Sequence, residues 1–246
     1  MTNSNSRSLV RASRALCKTV DALTFAEPVT HVYNPLAYAR KPHEAYLGQV
    51  GEQVSVVFLG MNPGPWGMAQ TGVPFGEIAA VRDWMKICEP VGKPPQEHQK
   101  RPVEGFECSR SEVSGRRLWG LFQDRFQTPE AFFEHHFVLN YCPLVFMEAS
   151  ARNRTPDKLP AAEREQLTTA CDQHLQSVLR TLDPEHVVGV GVYAENCLQR
   201  CVQAIGLTAN VSRILHPSPA SPAANKNWTG KVTEQLQQAG IWPQGD

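Results

Sequence analysis

Residues 54–68 read VSVVFLGMNPGPWGM. Val54 to Leu59 form a short apolar run rich in β-branched residues. That pattern suits a strand buried on both faces of a parallel sheet. Gly60 ends the run and opens a loop that reaches Gly76. The loop holds five glycines (Gly60, Gly64, Gly67, Gly72, Gly76) and three prolines (Pro63, Pro65, Pro74). Glycines permit unusual backbone angles and close approach of another group, and prolines stiffen the same backbone. No formal charge falls between Val54 and Gly76, which fits a pocket wall better than a solvated loop. A tight strand-to-helix turn is the plainer reading. GxGxxG and Walker-type patterns are missing, which argues against a nucleotide phosphate loop.

Outward from this stretch the chain alternates strands and helices. Apolar residues Leu9, Leu16, Val20 and Leu23 give a helix stripe over Ser6–Phe25. Pro28 to Tyr46 reads as a connector and Lys93 to Glu107 as surface loop. Ser114 reads as the N-cap of a helix carrying Leu118, Leu121, Phe122 and Phe126. Phe137–Leu139 is a second strand candidate, followed by Asn140. A long amphipathic helix over Ala161–Leu182 stops at Asp183-Pro184. His186–Val192 is a third strand, Ala194–Ile205 a helix ended by Gly206, and Val211–Leu215 a fourth strand. A last helix is expected from about Gly230 to Gln238. This order predicts βαβ units and a parallel sheet in one domain over residues 1–246. Ligands of such sheets bind beyond the C-terminal strand ends. Three of those ends carry polar residues: Asn62, Asn140 and His216.

Composition is that of a soluble globular protein, with 41% hydrophobic and 20% charged residues and a formal net charge of +0. Net neutrality argues against a protein that coats nucleic acid, but not against a local basic patch. Asn210 to Lys231 carries Arg213, Lys226 and Lys231 and no acidic residue. The polar N-terminus lacks the apolar core of a signal peptide, and no apolar run is long enough for a membrane span. An intracellular protein is expected. The seven cysteines lack metal-site spacing and read as buried free thiols.

A second unusual segment, HPSPASPAAN, occupies residues 216–225. Its prolines would hold a rigid, acid-free loop beside His216, able to wedge into a duplex. An ordinary Pro-rich connector is the alternative. Arg116 and Arg117 fall in the first turn after Ser114, where cations oppose the helix dipole. A bound phosphate would resolve that conflict; so would salt bridges to Glu104, Glu107 or Glu112.

GMNPGPWGMAQTGVPFG (60–76) and HPSPASPAAN together closely resemble the two active-site motifs of single-strand-selective monofunctional uracil-DNA glycosylases. RPVEGFECSRSEVSGRRLWG (101–120) and FVLNYCPLVF (137–146) look like the same family, so the resemblance runs from about 28 to 242. It implies an α/β three-layer sandwich, with a central four-stranded, mainly parallel sheet flanked by helices, and no metal or cofactor. The activity it implies is monofunctional removal of uracil and 5-substituted uracils, such as 5-hydroxymethyluracil, from single- and double-stranded DNA by a monomer.

The resemblance also assigns roles. Asn62 would position the attacking water, where related glycosylases with other motifs carry Asp. A carboxamide orients water but takes no proton from it. His216 would donate to uracil O2 as negative charge grows there. Asn140 would read the O4/N3–H edge, Phe75 would stack on the base, and Met61 would wall the pocket. Gly64 falls where some relatives place a Tyr that blocks a 5-methyl group. DNA contacts would come from Ser114, Arg116, Arg117, Pro217, Ser218, Pro219, Ala220 and Lys226. Many members carry an Arg where this chain has Ala220, and that Arg would help fill the gap left by the flipped nucleotide. Two other readings remain open here: a catalytically silent binder of damaged DNA or abasic sites, and an α/β enzyme acting on free nucleotides.

Overall fold

A computed structural model describes residues 3–244. In chain order its elements are α1 (Ser4–Asp21), β1 (Val29–Tyr33), α2 (Pro35–Tyr38), α3 (Arg40–Leu47), β2 (Val56–Gly60), α4 (Met68–Thr71), α5 (Val113–Phe126), α6 (Pro129–His135) and β3 (His136–Asn140). They continue with β4 (Val145–Glu148), β5 (Asn153–Arg154), α7 (Ala161–Leu182), β6 (His186–Val190), α8 (Val192–Ile205), β7 (Asn210–Ile214) and α9 (Pro222–Gln238).

The central sheet has four strands in the order β3-β2-β6-β7, every pairing parallel. All residues of β2 and β3 are buried, so helices cover both faces, as the apolar run at 54–59 implied. The order reverses around β2: its crossover leads outward to β3, while β6 and β7 lie on the other side. Ligand crevices of doubly wound sheets open at such a reversal. Register brings the four strand ends level, with Gly60 opposite Asn140 and Val190 opposite Ile214.

A second sheet was not anticipated. β1, β4 and β5 pair antiparallel within the region read as connector and the stretch after β3. The 93–107 segment is irregular as expected, yet His98 and Val103 within it are buried. α1 ends at Asp21, earlier than expected, although Leu23 and Phe25 still pack on the core. Its start is capped by Asn3, whose Oδ1 accepts the Ser6 amide at 2.8 Å. α9 begins at Pro222 instead of Gly230, with Ser221 as N-cap and a break in helical geometry at Asn227. The Pro-rich composition hid a Ser-Pro helix start, in which Pro occupies the first position where its missing N–H costs nothing. Six cysteines are buried free thiols, while Cys88 is exposed. No helix among the described residues is long and apolar enough to cross a membrane.

Two buried histidines make the fold acid-sensitive. His43 bridges α1 to the first motif, with Nε2 2.9 Å from Ser13 Oγ and Nδ1 2.8 Å from the Gly72 carbonyl. Burial pushes the pKa of His43 and of His136 down from 6.5 to about 4. The unfolded chain therefore binds protons that the folded chain refuses. Their contribution to stability is full above 6.5 and is lost as pH falls from there toward about 4. Thermal midpoints should drop across that window, and His43→Gln should make the drop shallower. An identical slope in the variant would remove His43 from this account.

Candidate functional site

A cavity of about 370 Å³ lies beyond the C-terminal ends of the parallel strands. Asn62 enters it from the loop after β2. Its Nδ2 donates to the Leu144 carbonyl at 3.2 Å, with Pro63 O at 3.4 Å. The carboxamide is thereby oriented with Oδ1 left over to accept a hydrogen bond. Met61 and Gly64 line the same wall.

Asn140 closes β3 and is 8% exposed. Its Nδ2 lies 3.3 Å from Met68 Sδ, a weak acceptor, and its buried Oδ1 has no partner. Leaving such an oxygen unpaired costs roughly 1–3 kcal/mol. Phe75, at φ 53°, adds its ring to the cavity wall. A Cβ on Gly60 would fall 2.4 Å from Asn140 Oδ1 and 2.5 Å from Phe75 Cε2, so only glycine lets both side chains close over the strand end. Trp119 Nε1 holds the preceding turn by donating to Pro74 O at 3.1 Å.

His216 follows β7, with its ring centroid 6.4 Å from that of Phe75. The Ser218 amide donates to His216 Nδ1 at 3.1 Å. In the neutral ring the proton must then sit on Nε2, which becomes a donor. Burial lowers the His216 pKa from 6.5, which keeps the ring neutral at pH 7. Gly191, at φ 91° after β6, leaves room for this ring: a Cβ there would meet His216 Cβ at 3.3 Å. Segments from all four strand ends thus build or accommodate the cavity.

The remaining predicted residues divide. Ser114 and Ser218 line the cavity. Ser114 is not the N-cap of α5, however. Glu112 holds that place without a side-chain cap bond, and Ser114 is the second helical residue. Arg117 makes no ion pair with Glu104, Glu107 or Glu112. It donates to Pro217 O at 3.0 Å and to Asn225 Oδ1 at 2.9 Å, clasping the second motif to α5. Arg116 is exposed, with Ser111 Oγ at 3.4 Å. Pro217 is buried outside the cavity lining, whereas Pro219, Ala220 and Lys226 are exposed. The 217–221 loop is tied by Ser218 O to the Ser221 amide at 3.0 Å and by Ser218 Oγ to the Ala220 amide at 3.2 Å.

Glu112, which the sequence offered only as one of three alternative salt-bridge partners for Arg116 and Arg117, was missed as a cavity residue. Its carboxyl projects into the cavity wall beneath two motif glycines. A Cβ on Gly67 would sit 1.4 Å from its Oε2 and one on Gly64 2.9 Å from its Oε1. Oε2 is shielded and has no hydrogen-bond partner. Burial, with Glu77 adding repulsion, pushes the Glu112 pKa from 4.5 up to about 7. Asn153 and Thr155, from the unexpected second sheet and its sequel, were also missed as cavity-lining residues. Nothing in their local sequence marks them. Outside the cavity lining, the guanidinium groups of Arg101 and Arg110 lie 5.0 Å and 5.4 Å from the centroid of the Trp66 ring, an aromatic–cation group that fits nucleic acid as well as it fits packing.

Comparison with known proteins bears on this geometry. The model of the uracil DNA glycosylase superfamily matches residues 47–238. A Mus musculus protein named single-strand selective monofunctional uracil DNA glycosylase is 50% identical over 222 residues, spanning 90% of this chain and 80% of its own. The Bos taurus protein of the same name is 50% identical over 222 residues, with 90% and 82% covered. The crystal structure of wild-type Pedobacter heparinus SMUG2 shares the fold, with a TM-score of 0.66 over 92% of this chain and 96% of that one at 15% identity.

Proposed function

Since the chain belongs to the uracil DNA glycosylase superfamily, we propose that it is a monofunctional DNA glycosylase acting on uracil and 5-substituted uracils as a single-domain monomer inside the cell. It is a hydrolase of N-glycosidic bonds, and uracil excision in DNA repair is its activity. The target nucleotide leaves the helix, since the anomeric carbon cannot be reached inside a stacked duplex. Phe75 stacks on the extruded base, worth roughly 1–3 kcal/mol. Asn140 pairs with O4 and N3–H. Nε2–H of His216 donates to O2, where charge collects as the bond to the sugar breaks. Asn62 Oδ1 accepts from the attacking water and aims it. A carboxamide takes no proton at this stage, so the path leans on leaving-group stabilisation and an oxocarbenium-like sugar. No lysine among the described residues lines the cavity, which supports simple hydrolysis over Schiff-base chemistry and strand cleavage. The exposed Arg116, Lys226, Pro219 and Ala220 serve the DNA backbone around the flipped position.

The observation that carries this reading is the unpartnered Oδ1 of Asn140, buried in the wall of the cavity that His216 also lines. An acceptor kept free at that cost awaits a donor, and uracil N3–H is one. The test is a panel of oligonucleotides with single lesions, each as single strand and duplex, assayed for free base. Release of uracil supports the proposal. Tight binding without release would assign the chain to the silent damage binders, and turnover of free nucleotides would assign it to nucleotide processing. Gly64→Tyr on the same panel should depress 5-substituted uracils more than uracil, because the ring fills the side of the cavity that Gly64 leaves open to Glu112. Equal losses on both would contradict this placement of the 5-position.

A further inference from the structure

Trp66 stands apart from the other tryptophans. Trp84, Trp119, Trp228 and Trp242 all pack in or against the main core, whereas Trp66 joins no core cluster among the described residues. Its indole is half-buried, and its Nε1 makes no hydrogen bond among those residues. A large ring that packs on no core and donates to nothing contributes little to the fold. Its neighbours are the guanidiniums of Arg101 and Arg110, 5.0 Å and 5.4 Å from the ring centroid. Arg110 is exposed, and its guanidinium makes no hydrogen bond or ion pair among the described residues. Arg101 donates from Nη1 to the Lys100 carbonyl at 3.1 Å, while its buried Nε has no partner. Glu104 and Glu107 lie on the same segment, exposed, and pair with neither arginine.

A buried side chain fixes this group in place. Gln70, 1% exposed, donates from Nε2 to the Pro65 and Pro102 carbonyls at 3.0 Å each. Its Oε1 accepts the Glu104 amide at 2.7 Å and the Gly105 amide at 3.1 Å. Both donors and both lone pairs are thus used. They tie the residue before Trp66 to the residue after Arg101. The group also adjoins the cavity through two chain segments. Trp66 stands two residues after Gly64, and Arg110 two residues before Glu112, and both of those line the cavity. Two residues of extended chain span about 7 Å at most, so the group stands at the cavity rim.

We infer that Trp66, Arg101 and Arg110 form a second nucleotide site, which takes the base adjoining the target on the same strand while that base is unpaired. This rests on the reading of the cavity as the seat of the flipped base. The adjoining base stacks on the indole, and the phosphate joining it to the target lies against the guanidiniums. Arginine pairs a phosphate with parallel N–H donors, and the two cations here lack any other anion. Every base has a π-face, so the site reads no sequence. In a duplex the adjoining base stays paired and stacked within the helix, and the indole gains nothing.

The test uses wild type, Trp66→Ala, Trp66→Phe and Arg110→Gln, with thermal midpoints confirming that each is folded. Binding is read on single strands carrying one uncleavable 2′-fluorinated deoxyuridine. The nucleoside on its 5′ or its 3′ side is then replaced by a propyl spacer, which keeps the phosphate but has no base. In wild type, one of the two spacers should weaken binding by about 5- to 100-fold, the scale of one stacked base. Trp66→Ala should show the same loss on the complete strand, and the spacer should then cost nothing further. Trp66→Phe, whose ring still stacks, should fall between. Arg110→Gln should reduce the salt dependence of single-strand binding by about 0.7 in the logarithmic slope, the share of one phosphate. On duplexes Trp66→Ala should bind as wild type does. If neither spacer weakens wild type, or the spacer costs as much in Trp66→Ala, the inference is overturned. Equal losses on single strands and duplexes would also overturn it, making Trp66 a structural group. Uracil release is read separately on natural deoxyuridine. Coupling between Trp66 and the adjoining base in a protein that releases no uracil would uphold this site while sinking the glycosylase reading. Release without that coupling would do the reverse.

Discussion

His216→Ala is expected to slow base release by about 10²–10³-fold, the usual loss when one donor to a developing anion is removed. Binding to lesion-bearing DNA should fall much less. The tautomer of the ring accounts for both effects. Ser218 N–H occupies Nδ1 at 3.1 Å, so the neutral ring carries its proton on Nε2, and burial disfavours the imidazolium. The ring is thus a fixed neutral donor that needs no reorganisation as uracil departs. Its interaction with O2 is weak while the base is a neutral amide and strengthens as the anion forms, so the effect falls on the rate and spares affinity. Because burial lowers the pKa below 6.5, the neutral donor should persist as pH falls through that value. Single-turnover release from a uracil oligonucleotide, paired with binding to an uncleavable analogue, separates the two terms. Wild-type rates in the variant would falsify the role given to His216.

The parallel strands were legible because burial on both faces writes itself into sequence as an unbroken apolar run. β2, β3, β6 and β7 all lie within two residues of where VSVVFL, FVL, HVVGVGV and VSRIL placed them. The antiparallel sheet had no such signature. β1 is partly exposed and includes Thr30 and His31, and β5 is two residues long. Pairing across long sequence separations, and not propensity, makes these residues strands. The site shows the same contrast. Asn62, Asn140 and His216 were legible because each stands at or just beyond the C-terminal end of a strand of the parallel sheet, and the topology brings such positions together. Glu112 stands in the polar run SRSEVSGRR, which reads as solvated helix start. Only tertiary folding lays its carboxyl beneath Gly64 and Gly67. The glycine-rich loop did signal that something approaches closely. At Gly67 it is this carboxyl, and at Gly60 it is Asn140 and Phe75, so part of what resembled a ligand cradle accommodates the protein's own side chains.

Asn140→Asp is expected to cut uracil excision by roughly 10- to 100-fold, as for a buried pair turned from match to mismatch at about 1–3 kcal/mol. The wild-type carboxamide offers Oδ1 to N3–H and Nδ2–H to O4. An ionised aspartate keeps an acceptor for N3–H but sets a second acceptor against O4. Its charge is also buried at the end of β3, where the Asn140 amide bonds to Met68 Sδ, so desolvation adds to the loss or forces protonation. Phe75 and the DNA contacts are untouched, so binding should survive better than release. Cytosine presents an amino donor where uracil has O4 and a bare N3 acceptor where uracil has N3–H, and the carboxyl, protonated as its burial favours, matches both with one acceptor and one donor. The uracil-to-cytosine excision ratio in one oligonucleotide context should therefore narrow, even if cytosine, a poorer leaving group, departs slowly. The ratio is the decisive quantity, because general damage to the cavity would lower both rates and leave it intact. A ratio equal to that of wild type would take Asn140 out of base recognition, and its unpaired Oδ1 would then need another donor to account for it.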